Sequence, residues 1–253
     1  MMFPRLRRPN PLAPSAVPLR ATEIVGPVLA LIPHADDETL GCGGLLANLL
    51  AAGRRVDFVL VTDCGASHGD TRLFARVDRR AVREREFREA VALLGAPPGA
   101  DVVFWRKPDA ELPLLCGQAR QRAVDELAGF LTRRCYQTVL TPWRRDPHGD
   151  HAATTSLLRK ALRRWNLSPR VLEYCVWLGL QGDSAAAYPL DAEPVRVRSL
   201  DVSGTEDVRA RALAAHRSQL SADIFGDPEG FVLPPDLRAR VDDDTEYYIE
   251  ELE

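Results

Sequence analysis

The chain has 253 residues, 45% hydrophobic and 27% charged, with a formal net charge of −3. That balance fits one soluble α/β-sized domain with a full core. Scattered charges of both signs give no electrostatic footprint for nucleic acid, and no stretch approaches the ~18 apolar residues of a membrane span.

Residues 1 to about 22, "MMFPRLRRPNPLAPSAVPLR", are basic and proline-rich and lack the apolar core of a signal peptide. They are expected to form a poorly ordered arm ahead of a single domain over 23–253. From there, short β-branched runs alternate with helical patterns, which predicts an α/β fold: a Rossmann-like, mostly parallel sheet flanked by helices. "VGPVLALI" (25–32) is the first predicted strand, and "LGCGGLLANLLAAG" (40–53) the helix after it, stopped by Gly53. "RVDFVLVTD" (55–63) is the second strand, and the polar residues 64–79 a loop near the top of the sheet. Residues 80–95 carry Val82, Phe87, Ala90, Val91 and Leu94 at helical spacing. "DVVFW" (101–105) is a third strand, 117–134 a helix and "TVLTPW" (138–143) a fourth strand. "RRDPHGDH" (144–151) turns into a helix reaching about Trp165. Residues 170–179 and 195–203 read as further strands, 205–220 as a helix with a Thr cap, and 221–253 as a mixed, acidic tail.

Five cysteines (Cys42, Cys64, Cys116, Cys135, Cys175) are widely spaced and never form a C-x-x-C pair. Four lie beside apolar residues, so they are expected to be small buried hydrophobes in a reducing compartment, the cytoplasm. The glycines of "GCGG" lack the full G-x-G-x-x-G spacing, and carboxylates before them would repel a pyrophosphate. Gly41, Gly43 and Gly44 are expected to allow close helix-to-sheet packing and room for a substrate.

In open α/β sheets, ligands bind at the carboxyl ends of the strands. Two clusters fall there: "PHADDE" (33–38) after the first strand and "HGDH" (148–151) after the fourth. Only five histidines exist in the chain, and three lie in these segments. His34 and Asp37 can face one point from a tight turn, and His151 can reach it from the next helix. Two imidazoles and a carboxylate leave a position open on a divalent ion, the mark of a catalytic site. Asp36, Asp150 and His148 remain for orienting or proton-transfer work.

"PHADDE" followed by "LGCGG", with "HGDH" about 110 residues on, resembles the PIG-L/LmbE-like family of metal-dependent N-deacetylases. "TDCGASHG" (62–69), "RERE" with "ALLG" (83–95), "PD" (108–109) and "AHRSQ" (215–219) are weaker pieces of the same pattern. Ala35 and Gly149 stand where the family often has proline, which alters no ligand. The resemblance implies that His34, Asp37 and His151 bind the metal, usually zinc, with ferrous iron also suited to such ligands. It implies Asp36 as general base, His148 as oxyanion stabiliser or proton carrier, and Asp150 as a group orienting an imidazole. It also implies that Arg83 and Asp109 bind substrate. Glu38 reads as a cap or loop-bracing carboxylate, His216 as packing at a helix end or touching substrate, and His68 as a lid or exposed residue.

The expected activity is hydrolysis of the acetyl group from an N-acetylated amino sugar or a conjugate of one. Neither 64–79 nor 180–194 selects among such small molecules, and a homo-oligomer is compatible with the chain. Two alternatives share the donor set: a non-haem iron oxygenase built on two histidines and a carboxylate, and a catalytically silent sugar-binding module.

Overall fold

The computed structural model describes residues 10–69, 75–178 and 194–252. Eight strands form one sheet: β1 (Val17–Leu19), β2 (Val28–Ile32), β3 (Val56–Thr62), β4 (Val102–Lys107), β5 (Thr138–Pro142), β6 (Arg170–Tyr174), β7 (Val195–Asp201) and β8 (Thr245–Glu251). Their order is β1-β7-β8-β6-β5-β2-β3-β4. All neighbours are parallel except β8, which runs antiparallel to both β6 and β7.

β2, β3 and β5 are buried along their whole length, because helices cover both faces of the sheet. Successive residues therefore feed two cores. Val28, Ala30 and Ile32 pack on one side with α1 (Asp37–Ala51), α2 (Arg76–Leu93) and α5 (Glu206–Ala215). Leu29 and Leu31 pack on the other with α3 (Gly117–Thr132) and α4 (Gly149–Trp165). Chain order reverses between β2 and β5, since β2 leads outward to β3 on one side and has β5 on the other. The crevice beyond their carboxyl ends is the switch point where such sheets bind ligands.

Several sequence expectations change. Within the expected arm, residues 13–23 carry regular structure, and β1 pairs with β7 at the sheet edge, where Pro18 is tolerated. The tail contains β8, whose acidic ends hid it: Glu250 is neutralised by Arg170 at 2.6 Å and Arg198 at 3.1 Å from the flanking strands. β6 stops at Tyr174 because the Val176 and Trp177 amides turn to Asp146. The helix expected over 205–220 breaks at His216 into α5 and α6 (Arg217–Leu220). The Thr205 hydroxyl donates to the Val202 carbonyl and makes no side-chain cap. Helix α2 starts at Arg76, inside the expected loop. Burial holds for Cys42, Cys64 and Cys175, whereas Cys116 and Cys135 are exposed. The loop 180–194 lies, but for its last residue, outside the described residues.

α1 lies close to the sheet because it is glycine-rich. A Cβ on Gly41 would stand 2.4 Å from the Tyr174 ring, and one on Gly44 would stand 2.6 Å from Val202. The packing role expected of these glycines is observed.

Candidate metal centre

The turn after β2 is held from several directions. The His34 amide donates to Asp37 Oδ2 (2.9 Å), the Ala35 amide to Cys64 Sγ (3.4 Å) and Thr62 Oγ1 to the Pro33 carbonyl (2.8 Å). In this turn, His34 Nδ1 and Asp37 Oδ2 stand 3.3 Å apart. His151, in the first turn of α4, places its Nε2 3.1 Å from Asp37 Oδ2 and 3.3 Å from His34 Nδ1. The three atoms form a nearly equilateral triangle. Metal bonds of about 2.0–2.1 Å at tetrahedral angles put ligand atoms about 3.3–3.4 Å apart. A single proton cannot satisfy three converging acceptors, whereas one cation can, so the residues fit a divalent metal.

The far side of each imidazole meets a carboxylate. His34 Nε2 lies 3.1 Å from Asp109 Oδ1 and 3.2 Å from Asp150 Oδ2. Asp150 also accepts the Ala110 and Leu112 amides at 2.8 and 3.1 Å, so its oxygens are fixed and cannot turn to a metal. His151 Nδ1 makes a 3.3 Å ion-pair contact with Asp146 Oδ1. These partners fix ring orientation and tautomer. Burial works against the charged form of both histidines, but the surrounding carboxylates win: His34 is raised well above its ordinary value and His151 to about 9. Asp37, Asp109 and Asp146 are held below the carboxylate range; burial opposes this, and the histidines outweigh it. The cluster calls for positive charge, which a metal supplies.

Asp36 stands beside the triangle with φ +136°, a conformation that L side chains rarely adopt. Its amide donates to Glu38 Oε2 (2.9 Å), and its Oδ2 accepts from Arg83 Nη2 (3.3 Å). Arg83 Nη2 also donates to the Ala35 carbonyl. Burial lifts Asp36 to about 6 despite Arg83, helped by the neighbouring carboxylates. His148 caps α4: its Nδ1 accepts from the Asp150 amide (3.3 Å), so the neutral ring carries its proton on Nε2. Burial, with His34 and His151 nearby, lowers it to about 4. A cavity of about 300 Å³ opens here, with His34, Asp36, Asp37 and His148 at its polar end and Trp177 and Phe231 in its apolar wall.

Residues 29–162 match the family described as GlcNAc-PI de-N-acetylase, PIG-L. The chain belongs to this family. A search of curated proteins by sequence finds no match. Among solved structures, the chain is similar to N,N'-diacetylchitobiose deacetylase from Pyrococcus horikoshii, with 23% identity, TM-score 0.58, and 79% of this chain and 72% of that one covered. It is also similar to the zinc-inhibited form of a teicoplanin deacetylase (17%, TM-score 0.59, 88% and 98% covered). A third neighbour is 4-carboxy-2-hydroxymuconate hydratase from Pseudomonas putida KT2440 (18%, TM-score 0.58, 79% and 87% covered). At these identities the likeness is one of fold.

For a PIG-L chain, the structure brings every expected site residue to one place but divides them differently. His34, Asp37 and His151 converge as a triad, with Asp36 and His148 on the cavity wall. Asp150 touches His34 and does not line the cavity. Arg83 and Asp109, expected on the substrate, do line it; each is already engaged, Arg83 with Asp36 and Asp109 with His34 and the Ala66 amide (2.8 Å). Glu38 braces the loop, and its partner is His216, with Nε2 2.7 Å from Oε1. His68 is buried, with Nδ1 3.0 Å from Ser67 Oγ and its ring edge-on to Phe225. Asp146 was not singled out by sequence reasoning; the available signal was a carboxylate two residues before "HGDH" in the same turn.

Proposed function

We propose that this chain is a metal-dependent N-deacetylase acting on an N-acetylated amino sugar or a conjugate of one, with zinc or another divalent ion held by His34, Asp37 and His151. The observation that carries this reading is the triangle of three donor atoms with a buried carboxylate, Asp36, beside it. When bound there, a divalent ion supplies a water of lowered pKa, about 7, and a Lewis acid for the amide carbonyl.

The chain's own groups do the rest. Asp36 takes the proton released as water attacks the carbonyl carbon and passes it to the amine nitrogen as the C–N bond breaks. His148, neutral with its proton on Nε2, donates a hydrogen bond to the carbonyl oxygen as negative charge develops there. Asp150 and Asp109 keep His34 turned to the metal, and Asp146 does the same for His151. Acetate and a free amine are the products. The apolar wall formed by Trp177 and Phe231 offers the face of a sugar ring or the body of a conjugate a surface to pack on.

The test is acetate release by zinc-loaded protein from a panel of N-acetyl sugars differing in the substituent on the glycosidic oxygen. Asp36→Asn is expected to lower kcat by about 10²–10⁴-fold while metal content stays unchanged. Full activity in that variant would refute the assignment of the base. Metal-loaded wild type that binds sugars and releases no acetate would favour the silent binding module. Dioxygen consumption without acetate would favour the oxygenase.

A further inference from the structure

Three groups stand outside the mechanism: Glu38, the "RERE" segment of α2, and the break between α5 and α6. All three meet at Asp36. At the break, His216 departs from helical geometry with ψ 56° and is wholly buried. Its Nε2 lies 2.7 Å from Glu38 Oε1, which also accepts from Thr39 Oγ1 at 2.7 Å, while Glu38 Oε2 takes the Asp36 amide at 2.9 Å. Two residues on, the Ser218 amide donates to Glu86 Oε1 (2.9 Å) and its hydroxyl to Glu86 Oε2 (2.6 Å). The same hydroxyl oxygen accepts from Arg83 Nη1 at 3.5 Å, and Arg83 Nη2 reaches the Ala35 carbonyl and Asp36 Oδ2.

Two chains of bonds therefore leave one short segment and end on the two sides of a single residue. One grips its backbone amide and the other its carboxylate and the preceding carbonyl. The gripped residue holds a φ of +136°, which persists only where its surroundings over-determine it. Buried ionic groups of this kind are a poor way to gain stability, since apolar residues of similar volume do as well or better. Their common endpoint gives them a different use.

We propose that His216 and Ser218 are positioning residues for Asp36, acting through Glu38 and through Glu86–Arg83 to hold its carboxylate at the metal site. This rests on the reading of Asp36 as the base. Neither His216 nor Ser218 lines the cavity. Misplacement of a catalytic group by about 1 Å costs about 10²-fold in rate.

The experiment compares zinc-loaded wild type with His216→Ala, His216→Gln and Ser218→Ala, each also made in an Asp36→Asn background, with acetate release and zinc content measured for all. His216→Ala and Ser218→Ala are expected to lower kcat tenfold or more, with KM and zinc content within twofold of wild type. Gln, which keeps a donor on the Glu38 side, is expected to restore most of the rate. In the Asp36→Asn background, neither alanine substitution should change the residual rate by more than twofold, because no base remains to be placed. The proposal is overturned if the alanine variants keep wild-type kcat, if zinc content falls in step with rate, or if they slow the Asp36→Asn enzyme by the same factor as wild type. Should His216→Ala fail to fold, Ser218→Ala decides by the same criteria. An Asp36→Asn enzyme as active as wild type would sink the reading of the base itself, a separate outcome.

Discussion

Replacing Asp146 by asparagine tests whether the carboxylate behind His151 holds the metal site together. Asp146 Oδ1 stands 3.3 Å from His151 Nδ1 and accepts the His148 amide at 3.0 Å, while Oδ2 accepts the Val176 and Trp177 amides at 3.2 and 3.1 Å. An asparagine keeps one oxygen and turns the other into a donor. Whichever way the amide lies, its NH₂ meets donors, so either His151 and the His148 amide or the two strand-end amides lose their acceptor. Partners of this kind are worth about 10–100-fold in metal affinity, or about 1.4–2.7 kcal/mol. Competition between metal-free protein and a chromogenic zinc chelator is expected to give a Kd raised by that factor. At saturating zinc, kcat should fall by less. A Kd within twofold of wild type, in a variant whose circular dichroism is unchanged, would refute the argument that His151 depends on Asp146 for its aim.

Further outcomes follow from the same geometry. Chelation is expected to lower the thermal midpoint, with zinc at 100 times its Kd restoring about 2.7 kcal/mol, or roughly 5–10 °C for a chain of this length; an unchanged midpoint in calorimetry would mean that no metal binds the folded state. For His216, burial favours the neutral ring, but Glu38, with Asp36 adding to it and Arg83 opposing, raises its pKa above the ordinary value. That pairing stabilises fully below about pH 6.5 and is lost as pH rises through the folded value. The stability gap between wild type and His216→Gln, read by urea unfolding, should therefore be wider at pH 6 than at pH 9; a gap that grows with pH contradicts it. Gly41→Ala would drive a methyl into the Tyr174 ring, whose hydroxyl is anchored to the Leu31 carbonyl at 2.8 Å. A loss of about 1–3 kcal/mol is expected in the same assay.

What could be read from the sequence follows from how local each signal was. The convergence of His34, Asp37 and His151 was legible because residue type, strand end and spacing coincide within two segments of six and four residues. The parallel core was legible because β2 is an uninterrupted apolar run and β3 and β5 are mostly apolar and β-branched, interrupted only by Asp57 and by threonine and proline. β8 was not, since the charge of Glu250 is neutralised by Arg170 on β6 and Arg198 on β7, both distant in sequence. The partner of Glu38 was hidden for the same reason: it lies 178 residues away, on a helix break whose local sequence reads as continuous helix. Arg83, expected on the substrate, is buried and meets Asp36 across 47 positions, a contact that its charged run "RERE" does not signal locally.

The two sequence segments that looked like separate clusters form one unit through crossed bracing. The second segment supplies His151, a proposed ligand that meets Asp37, and also Asp150, which contacts the first segment's His34. The first supplies Asp37, which faces both imidazoles. A shift of α4 relative to β2 would therefore misplace a ligand and release the brace on another at once, so the site favours one arrangement of the two elements. β2 and β5 are adjacent in register over Val28–Ala30 and Thr138–Leu140, which fixes the strands from which both segments spring. The α5–α6 break then enters from the opposite face of the sheet to α4 and reaches Asp36 through Glu38, so His151 and the proposed base are braced from different layers of the fold, while His34 and Asp37 share the turn that carries Asp36. Substitutions around His151 in α4 should accordingly be felt first in metal affinity, and those at the α5–α6 break first in turnover at full metal occupancy.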